Sequence, residues 1–179
     1  MLGAGTKMAA RRNAQGFTLI ELLVAVVIMA IGILGVAGLQ VVSLQQNRSA
    51  LFRSEAVQLA NDLIDRIRVN PTMTYSALID AAPASVTDCE AGTCTPSQMA
   101  AYDITQWKCS INSEDSSGAE LSACSSLKGL DGASAGIKGE LPDGAGSVVL
   151  TGGVYEIKIR WVDERDGTTA SITVNAQVN

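Results

Sequence analysis

One acidic residue lies within the most apolar segment of the chain. Glu21 follows Phe17 by four residues, and the next charged residue along the chain is Arg48. A carboxylate inside a long apolar helix is unfavourable, so its presence there indicates a function. If the chain were cut between Gly16 and Phe17, a new ammonium group would appear four residues before Glu21, in the helical turn where the macrodipole favours negative charge. The alternative is that Glu21 lies at a membrane interface and reaches water.

The apolar segment that follows this acid is long enough to span a membrane. Residues 22–39 contain no charged or strongly polar side chain, and about 20 helical residues cross a hydrocarbon core of about 30 Å. Lys7, Arg11 and Arg12 precede the segment with no acid among them, which places the N-terminus in the cytoplasm. No small-residue cleavage site follows the apolar stretch, unlike in a secretory signal peptide. The sequence therefore predicts one membrane anchor that carries an exported head.

The composition argues against nucleic-acid binding and against catalysis. The 179 residues include 13 basic and 18 acidic side chains and no histidine, for a net charge of −5. An acidic head without a basic tract is a poor ligand for nucleic acid. Since no nucleophile–base pair and no phosphate-binding loop is recognisable, we expect neither an enzyme nor a cofactor. The acids Asp163, Glu164 and Asp166 lack the spacing of a calcium loop, which favours a solvated turn.

All four cysteines lie in the predicted head. Cys89, Cys94, Cys109 and Cys124 form an even set in an exported domain, which predicts two disulfides. A zinc site would require closely spaced ligand pairs or histidines, so we expect no metal site. Short loops close most readily, which favours Cys89–Cys94 with Cys109–Cys124, although the two crossed pairings stay open.

Helical periodicity continues from the anchor to residue 70. Apolar residues recur approximately on one face, and Asp62 and Arg66 form an i,i+4 pair; the apolar set is Leu44, Leu51, Ala56, Leu59, Leu63 and Ile67. Asn70 precedes a proline, which ends the helix. We therefore predict one helix over residues 17–70, in which 17–42 form the anchor or filament core and 43–70 pack on the head.

The head, residues 71–179, combines a helix with three strands. Thr95 and Pro96 are typical of a helix start, and we expect a helix over Pro96–Cys109 after a loop over 71–95. Apolar and polar residues alternate in three segments near the C-terminus, with Asp166-Gly167 as a hairpin turn; the segments are Ser147–Leu150, Val154–Val162 and residues 170–178. The predicted fold class is α+β, a long N-terminal helix packed on a small antiparallel sheet.

Residues 16–23, Gly-Phe-Thr-Leu-Ile-Glu-Leu-Leu, resemble the type IV prepilin signature. The resemblance implies that residues 1–16 are a cytoplasmic leader, removed between Gly16 and Phe17 by a prepilin peptidase that also methylates the Phe17 amine. It further implies that Glu21 neutralises the Phe17 amine of a neighbouring subunit during filament assembly. The expected fold is then that of a pilin.

Three further segments are similar to the PilV family of minor pilins, namely residues 30–40, 66–71 and 94–107, together with the closing Trp161-Val162-Asp163. This resemblance implies a minor subunit that joins other minor pilins and the major pilin in a priming or tip complex, supporting pilus assembly, twitching motility and adhesion. It implies contact with the inner-membrane assembly machinery. The subunit would be a single-pass inner-membrane protein with a periplasmic head before assembly, and part of a cell-surface pilus afterwards.

Two other functions remain open at this point. A minor pseudopilin of a type II secretion system shares the cleavage motif, Glu21 and the helix. A monomeric membrane-anchored binding protein would keep its leader and would not need Glu21.

Overall fold

The computed structural model describes residues 16–127, 137–139, 141–163 and 167–178. Their elements follow one another as α1 (Leu19–Val69), α2 (Pro96–Ile111), α3 (Ser122–Ser125), β1 (Ala145–Thr151), β2 (Val154–Val162) and β3 (Thr169–Gln177). The long helix packs on a three-stranded antiparallel sheet, which confirms the predicted α+β, pilin-like fold. The chain divides into two compact units, Met1–Ser43 and Leu44–Asn179, which are described separately.

The first unit contains only the N-terminal part of α1 among its described residues. Each of these residues is exposed to solvent. An 18-residue window of α1 has a mean hydropathy of 2.9, and α1 is the one helix in the described ranges that is long and apolar enough to cross a membrane. Between residues 19 and 43 these apolar side chains have no partner, because a single helix has no opposite layer to pack against.

The sheet of the second unit has the order β1-β2-β3, with both pairs antiparallel. The predicted strand Val154–Val162 is β2, whose alternate residues point into the core; these are Tyr155, Ile157, Ile159 and Trp161. Gly152 and Gly153 both adopt positive φ between β1 and β2, as a tight type I′ hairpin requires. In the predicted Asp166-Gly167 turn between β2 and β3, Gly167 has positive φ, whereas Asp166 lies outside the described residues.

The core of the second unit lies between α1 and the sheet. The buried face of α1 consists of Ala56, Ala60, Leu63, Ile64 and Ile67, and it packs with the buried residues of β2. The predicted face was wrong at Leu44 and Leu51, which are 64% and 60% exposed. At 3.6 residues per turn, Leu44 and Leu51 project about 120° and about 140° away from Ala56, so both lie off the buried face of α1.

Helix α2 begins as predicted and runs to Ile111, two residues beyond Cys109. The Thr95 hydroxyl accepts a hydrogen bond from the N–H of Gln98, whose side chain accepts one in return from the Thr95 N–H. This capping box satisfies two backbone donors at the start of the helix. Gly146 of β1 lies directly beneath α2, where a Cβ atom would overlap Trp107 and Ile111. A glycine there allows α2 to approach the sheet closely.

Candidate functional site

The Gly16–Phe17 peptide bond lies in exposed, non-helical backbone. Helix α1 begins two residues later, at Leu19, and the Thr18 carbonyl accepts hydrogen bonds from the N–H groups of Glu21 and Leu22 at 3.1 and 3.3 Å. Phe17 is 77% exposed, and no atom lies within 4 Å of the point where a Cβ of Gly16 would stand. A protease can therefore reach this bond. Within the described ranges, no packing contact requires glycine at position 16.

Glu21 occupies the first turn of α1 and is exposed. Residues 16–47 contain no lysine or arginine. The carboxylate therefore has no cationic partner in the described part of its own unit. The positive end of the helix dipole is the one favourable electrostatic feature that its own helix supplies.

A second group of sequence-predicted residues meets at the junction of α1 and α2. The Arg66 guanidinium pairs with Asp62 at 2.8 Å, which confirms the predicted i,i+4 pair, and also with Asp103 at 3.2 Å and with the Gln106 side-chain oxygen. The Tyr75 hydroxyl donates to the other oxygen of Asp103 at 2.6 Å. Asp103 therefore joins α1, α2 and the segment that follows α1. Burial, followed by the hydrogen bond to Asp103, raises the pKa of Tyr75.

Two further contacts fix α2 on α1. The Asn70 amide donates to the Pro96 carbonyl at 2.8 Å, which links the end of one helix to the start of the next. The Trp107 indole N–H donates to the Leu59 carbonyl at 2.9 Å, and Trp107 is fully buried. Four head residues that carry the family resemblance therefore hold elements together, because each of them bonds to another part of the same chain; they are Arg66, Asn70, Asp103 and Trp107.

Lys108 is a buried cation that bonds to the backbone of the loop at residues 78–81. Its ammonium group donates to the carbonyl oxygens of Leu78 and Ala81, and only 6% of the residue is exposed. Burial lowers the pKa of Lys108, an effect that the nearby Asp80 carboxylate opposes. The ammonium group thereby adds a charged donor to the carbonyl oxygens of an irregular segment, in which the Leu78 carbonyl also accepts from the Ala81 N–H at 3.3 Å.

Both cysteine pairs are bonded in the structure, Cys89 with Cys94 and Cys109 with Cys124, at Cα–Cα distances of 5.5 and 5.4 Å. The second pair is fully buried and ties α2 to α3 within a small apolar cluster. Tyr102 belongs to the same cluster. Its hydroxyl is buried and makes no hydrogen bond of ordinary geometry within the described ranges; burial, with a further effect from the nearby Glu90 carboxylate, raises its pKa to about 12.

The turn after β2 differs from its prediction. Asp163 was expected to be solvated, but it is 8% exposed and accepts a hydrogen bond from the Ser49 hydroxyl at 2.7 Å. Its burial results from α1, which the local sequence of the turn cannot reveal. Glu164 and Asp166 lie outside the described residues. The part of the chain that the structure describes contains no group of three acidic or cysteine side chains placed to hold a metal ion.

Comparison with protein families identifies the class of protein. Residues 11–37 match the prokaryotic N-terminal methylation motif, and residues 38–105 match the family described as type IV pilin Tt1218. The two matches adjoin and together include Gly16, Phe17, Glu21, Arg66 and Asp103. The chain is a type IV pilin. No curated protein and no solved structure matches it.

Pilins of this family are structural subunits, and the geometry of this pilin agrees with such a role. Glu21 lies on an exposed helix, with Gly16 and Phe17 just before it, whereas Arg66 and Asp103 of the head pair with each other. Sequence reasoning missed the contributions of Tyr75, Lys108 and Ser49. Their partners are 28, 30 and 114 residues away along the chain, so no local pattern indicated them.

Proposed function

We propose that this pilin is a minor subunit of a type IV pilus, of the PilV type, which enters a priming or tip complex with other minor pilins and the major pilin. The observation that carries the proposal is the position of Glu21. It is the one carboxylate of residues 19–43, the exposed apolar part of α1, and it lies four residues after Phe17 at the exposed Gly16–Phe17 bond. An anchor that served only to hold a head in the membrane would not need a charge there.

Cleavage between Gly16 and Phe17 supplies the missing cation. A prepilin peptidase at the cytoplasmic face removes residues 1–16 and methylates the Phe17 amine, which stays positively charged. In the filament this ammonium pairs with Glu21 of a neighbouring subunit. At a separation of about 4 Å and an effective dielectric constant of about 20, such a pair gains about 4 kcal/mol before desolvation is subtracted. The attraction therefore selects the axial register of neighbouring helices, while their apolar side chains provide the burial.

The location follows from the same features. Before assembly the subunit is held in the inner membrane by residues 17–42, with its N-terminus in the cytoplasm and its head in the periplasm. The inner-membrane assembly machinery then transfers it to the pilus at the cell surface. The assignment to the PilV type rests on residues 30–40, 66–71 and 94–107, of which the last two segments supply the α1–α2 contacts of Arg66, Asn70 and Asp103.

Replacing Glu21 by glutamine tests the charge role. The variant keeps the shape of the side chain, so membrane insertion and cleavage should proceed normally. An ammonium left without its counter-charge costs several kcal/mol in an apolar bundle. We therefore expect the ratio of subunit in sheared pili to subunit in the inner membrane to fall at least about tenfold, with Glu21→Asp intermediate.

The matched control is Glu156→Gln, the same change at an exposed acid of β2; this variant should enter pili like the wild type. Equal incorporation of Glu21→Gln and the wild type would refute the pairing.

Deletion of the gene tests the assignment to a pilus. Twitching motility and surface pili should be lost, while protein secretion into the medium continues. The reverse result, lost secretion with normal twitching, would make the subunit a minor pseudopilin of a type II secretion system.

A further inference from the structure

The two edges of the head's sheet differ. At the β1 edge, the Ala77 N–H donates to the Val148 carbonyl at 2.9 Å, and the Val148 N–H donates to the Ala77 carbonyl at 3.0 Å. At the other edge, β3 pairs with β2 alone, and within the described ranges its backbone makes no further hydrogen bond. The β1 edge is therefore partly capped by the chain itself, and the β3 edge is open.

Strand β3 also lacks the features that usually protect an open edge. Its nine residues, Thr-Ala-Ser-Ile-Thr-Val-Asn-Ala-Gln, contain no charge, no proline and no glycine. Natural edge strands normally carry lysine, proline or a bulge, which prevents pairing with another chain. An uncharged, regular strand of this length presents a row of backbone donors and acceptors that a further strand can satisfy.

The inner side chains of β3 are incompletely covered. Ile157 and Ile159 of β2 are fully buried, whereas their register partners Val174 and Ile172 are only half-buried. The outer row of β3 is formed by hydroxyl and amide side chains, namely Thr169, Ser171, Thr173, Asn175 and Gln177. A strand added at this edge would cover the inner apolar row, so the edge offers apolar contacts as well as hydrogen bonds.

We infer that β3 accepts a strand from a different pilin subunit of the same filament, which extends the sheet from three strands to four. The strand that fits is uncharged and alternates β-branched with hydroxyl or amide side chains, because such residues make the favourable cross-strand pairs with the two rows of β3. This inference rests on the proposed role as a filament subunit.

A second copy of this chain does not fit the edge in an antiparallel arrangement. Pairing β3 antiparallel with β3 of a copy requires a two-fold axis normal to the sheet. The head part of α1 packs on the sheet and therefore lies in a layer parallel to it. The rotation would reverse the direction of α1, whereas helices that share a membrane or a filament run the same way.

The parallel arrangements fail as well. A parallel pair of two β3 strands would place the apolar row of one copy beside the polar row of the other. A copy in the same orientation would have to offer its β1, whose edge is partly capped by Ala77. A strand from a different subunit is therefore the occupant that agrees with the direction of α1, the partial capping of β1 and the side-chain pattern of β3.

Photo-crosslinking in cells that assemble pili tests the inference with the full chain. A photoreactive amino acid replaces Thr173, which lies opposite Lys158 on the outer face of the sheet. The matched control carries it at Ser147, which lies opposite the same Lys158 but on β1. We expect sheared pili to yield an adduct from position 173, mapped by mass spectrometry to an uncharged segment of another pilin, and no such adduct from position 147.

A lysine at the same two positions tests whether the edge is needed for assembly. Thr173→Lys should enter sheared pili several-fold less than the wild type, because the charge must be accommodated beside the incoming strand. Ser147→Lys places the same charge beside Lys158 but should enter normally. Equal melting temperatures of the two variants would show that the difference does not arise from misfolding.

Three experimental outcomes would overturn the inference that β3 accepts a strand from a different pilin subunit. An adduct of position 173 with a second copy of this chain, or with its own residues 128–136, would overturn the inference. So would normal incorporation of Thr173→Lys. If the wild-type subunit is absent from pili, the proposed function fails; if the wild type and Thr173→Lys enter equally, the strand-accepting edge alone is refuted.

Discussion

The two units of this pilin differ in the solvent exposure of their apolar side chains. From residue 19 to residue 43 every side chain is exposed, although this is the most apolar part of the chain. From residue 44 onward the long helix, the sheet and two disulfides enclose a core in which Leu63, Trp107 and Ile157 are fully buried. The first unit exposes large apolar residues to a degree that a soluble monomer does not tolerate. Its partners must therefore come from a membrane or from other subunits.

The two units also differ in the partners of their charged side chains. In the head, Arg66, Asp103 and Lys108 have partners on the same chain, and these partners fix the fold. In the bare helix, Glu21 has no cationic partner in the described part of its unit. Folding thus supplies partners for these three charges of the head, whereas the described part of the first unit supplies none for Glu21, as the proposed pairing between subunits requires.

The largest effect is expected at the cut site, where a substitution should affect only the first unit. Replacing Gly16 by valine should abolish cleavage, because the peptidase must bind this residue, and should leave the head folded. Mass spectrometry of wild-type protein should show an N-terminus at Phe17 with one added methyl group, whereas the variant should retain Met1. The control is Gly92→Val, at a glycine that also has open space around it; it should be processed normally. A wild-type protein that begins at Met1 would contradict the prepilin assignment.

The next effect concerns the two disulfides and lies within the head. Replacing both Cys109 and Cys124 by serine should lower the free energy of unfolding by about 3 kcal/mol, as expected for a loop of about 15 residues. The double substitution at Cys89 and Cys94 should cost less, because that loop spans 5 residues and its cysteines are partly exposed. Chemical unfolding of the full chain in detergent measures both values. Peptide mapping of the non-reduced protein checks the pairing, and a peptide that links Cys94 to Cys109 would disprove it.

A smaller loss of stability is expected from substituting a buried tyrosine, and it should differ between Tyr75 and Tyr102. Tyr75→Phe removes the hydrogen bond to Asp103 and leaves a buried carboxylate oxygen without that donor, which should cost about 1–3 kcal/mol of stability. Tyr102→Phe removes a buried hydroxyl that has no hydrogen-bond partner of ordinary geometry. It should be neutral or slightly stabilising. Equal losses in the two variants, measured by thermal unfolding, would show that the Tyr75 network does not stabilise the α1–α2 junction.

The smallest effect is a pH dependence confined to the head. The pKa of Tyr102 is raised from 10.0 to about 12, chiefly by burial, so folding favours its protonated form. The resulting stabilisation is complete below pH 10 and is lost as the pH rises from 10 towards 12. Tyr102→Phe should therefore lose less stability than the wild type over this interval, as followed by the melting temperature. A wild-type decline no steeper than that of the variant would exclude this contribution.

Local patterns predicted much of the fold. Alternation located β2 at its observed bounds, and the Thr95-Pro96 pair located the start of α2, because these signals depend on neighbouring residues. The same reasoning was wrong at Leu44 and Leu51, because spacings of five and seven residues were grouped into one face although they place both side chains away from the buried face of α1. It was also wrong at Asp163, since an acidic turn looks solvated until α1 is placed against it.

The sequence by itself determined the chemistry of the N-terminus. The Gly16-Phe17 pair, Glu21 and the uncharged segment after it lie within one short stretch of chain, so their spacing predicts a cut site, a charge and an anchor without reference to a fold. The tertiary structure decided which head residues touch. Asp103 joins Arg66 and Tyr75, and Lys108 holds the loop of Leu78. In the part of the chain that the structure describes, the outer edge of β3 is open while that of β1 is partly capped. These contacts join residues that are far apart along the chain, and their energies exist only after the helix and sheet have packed.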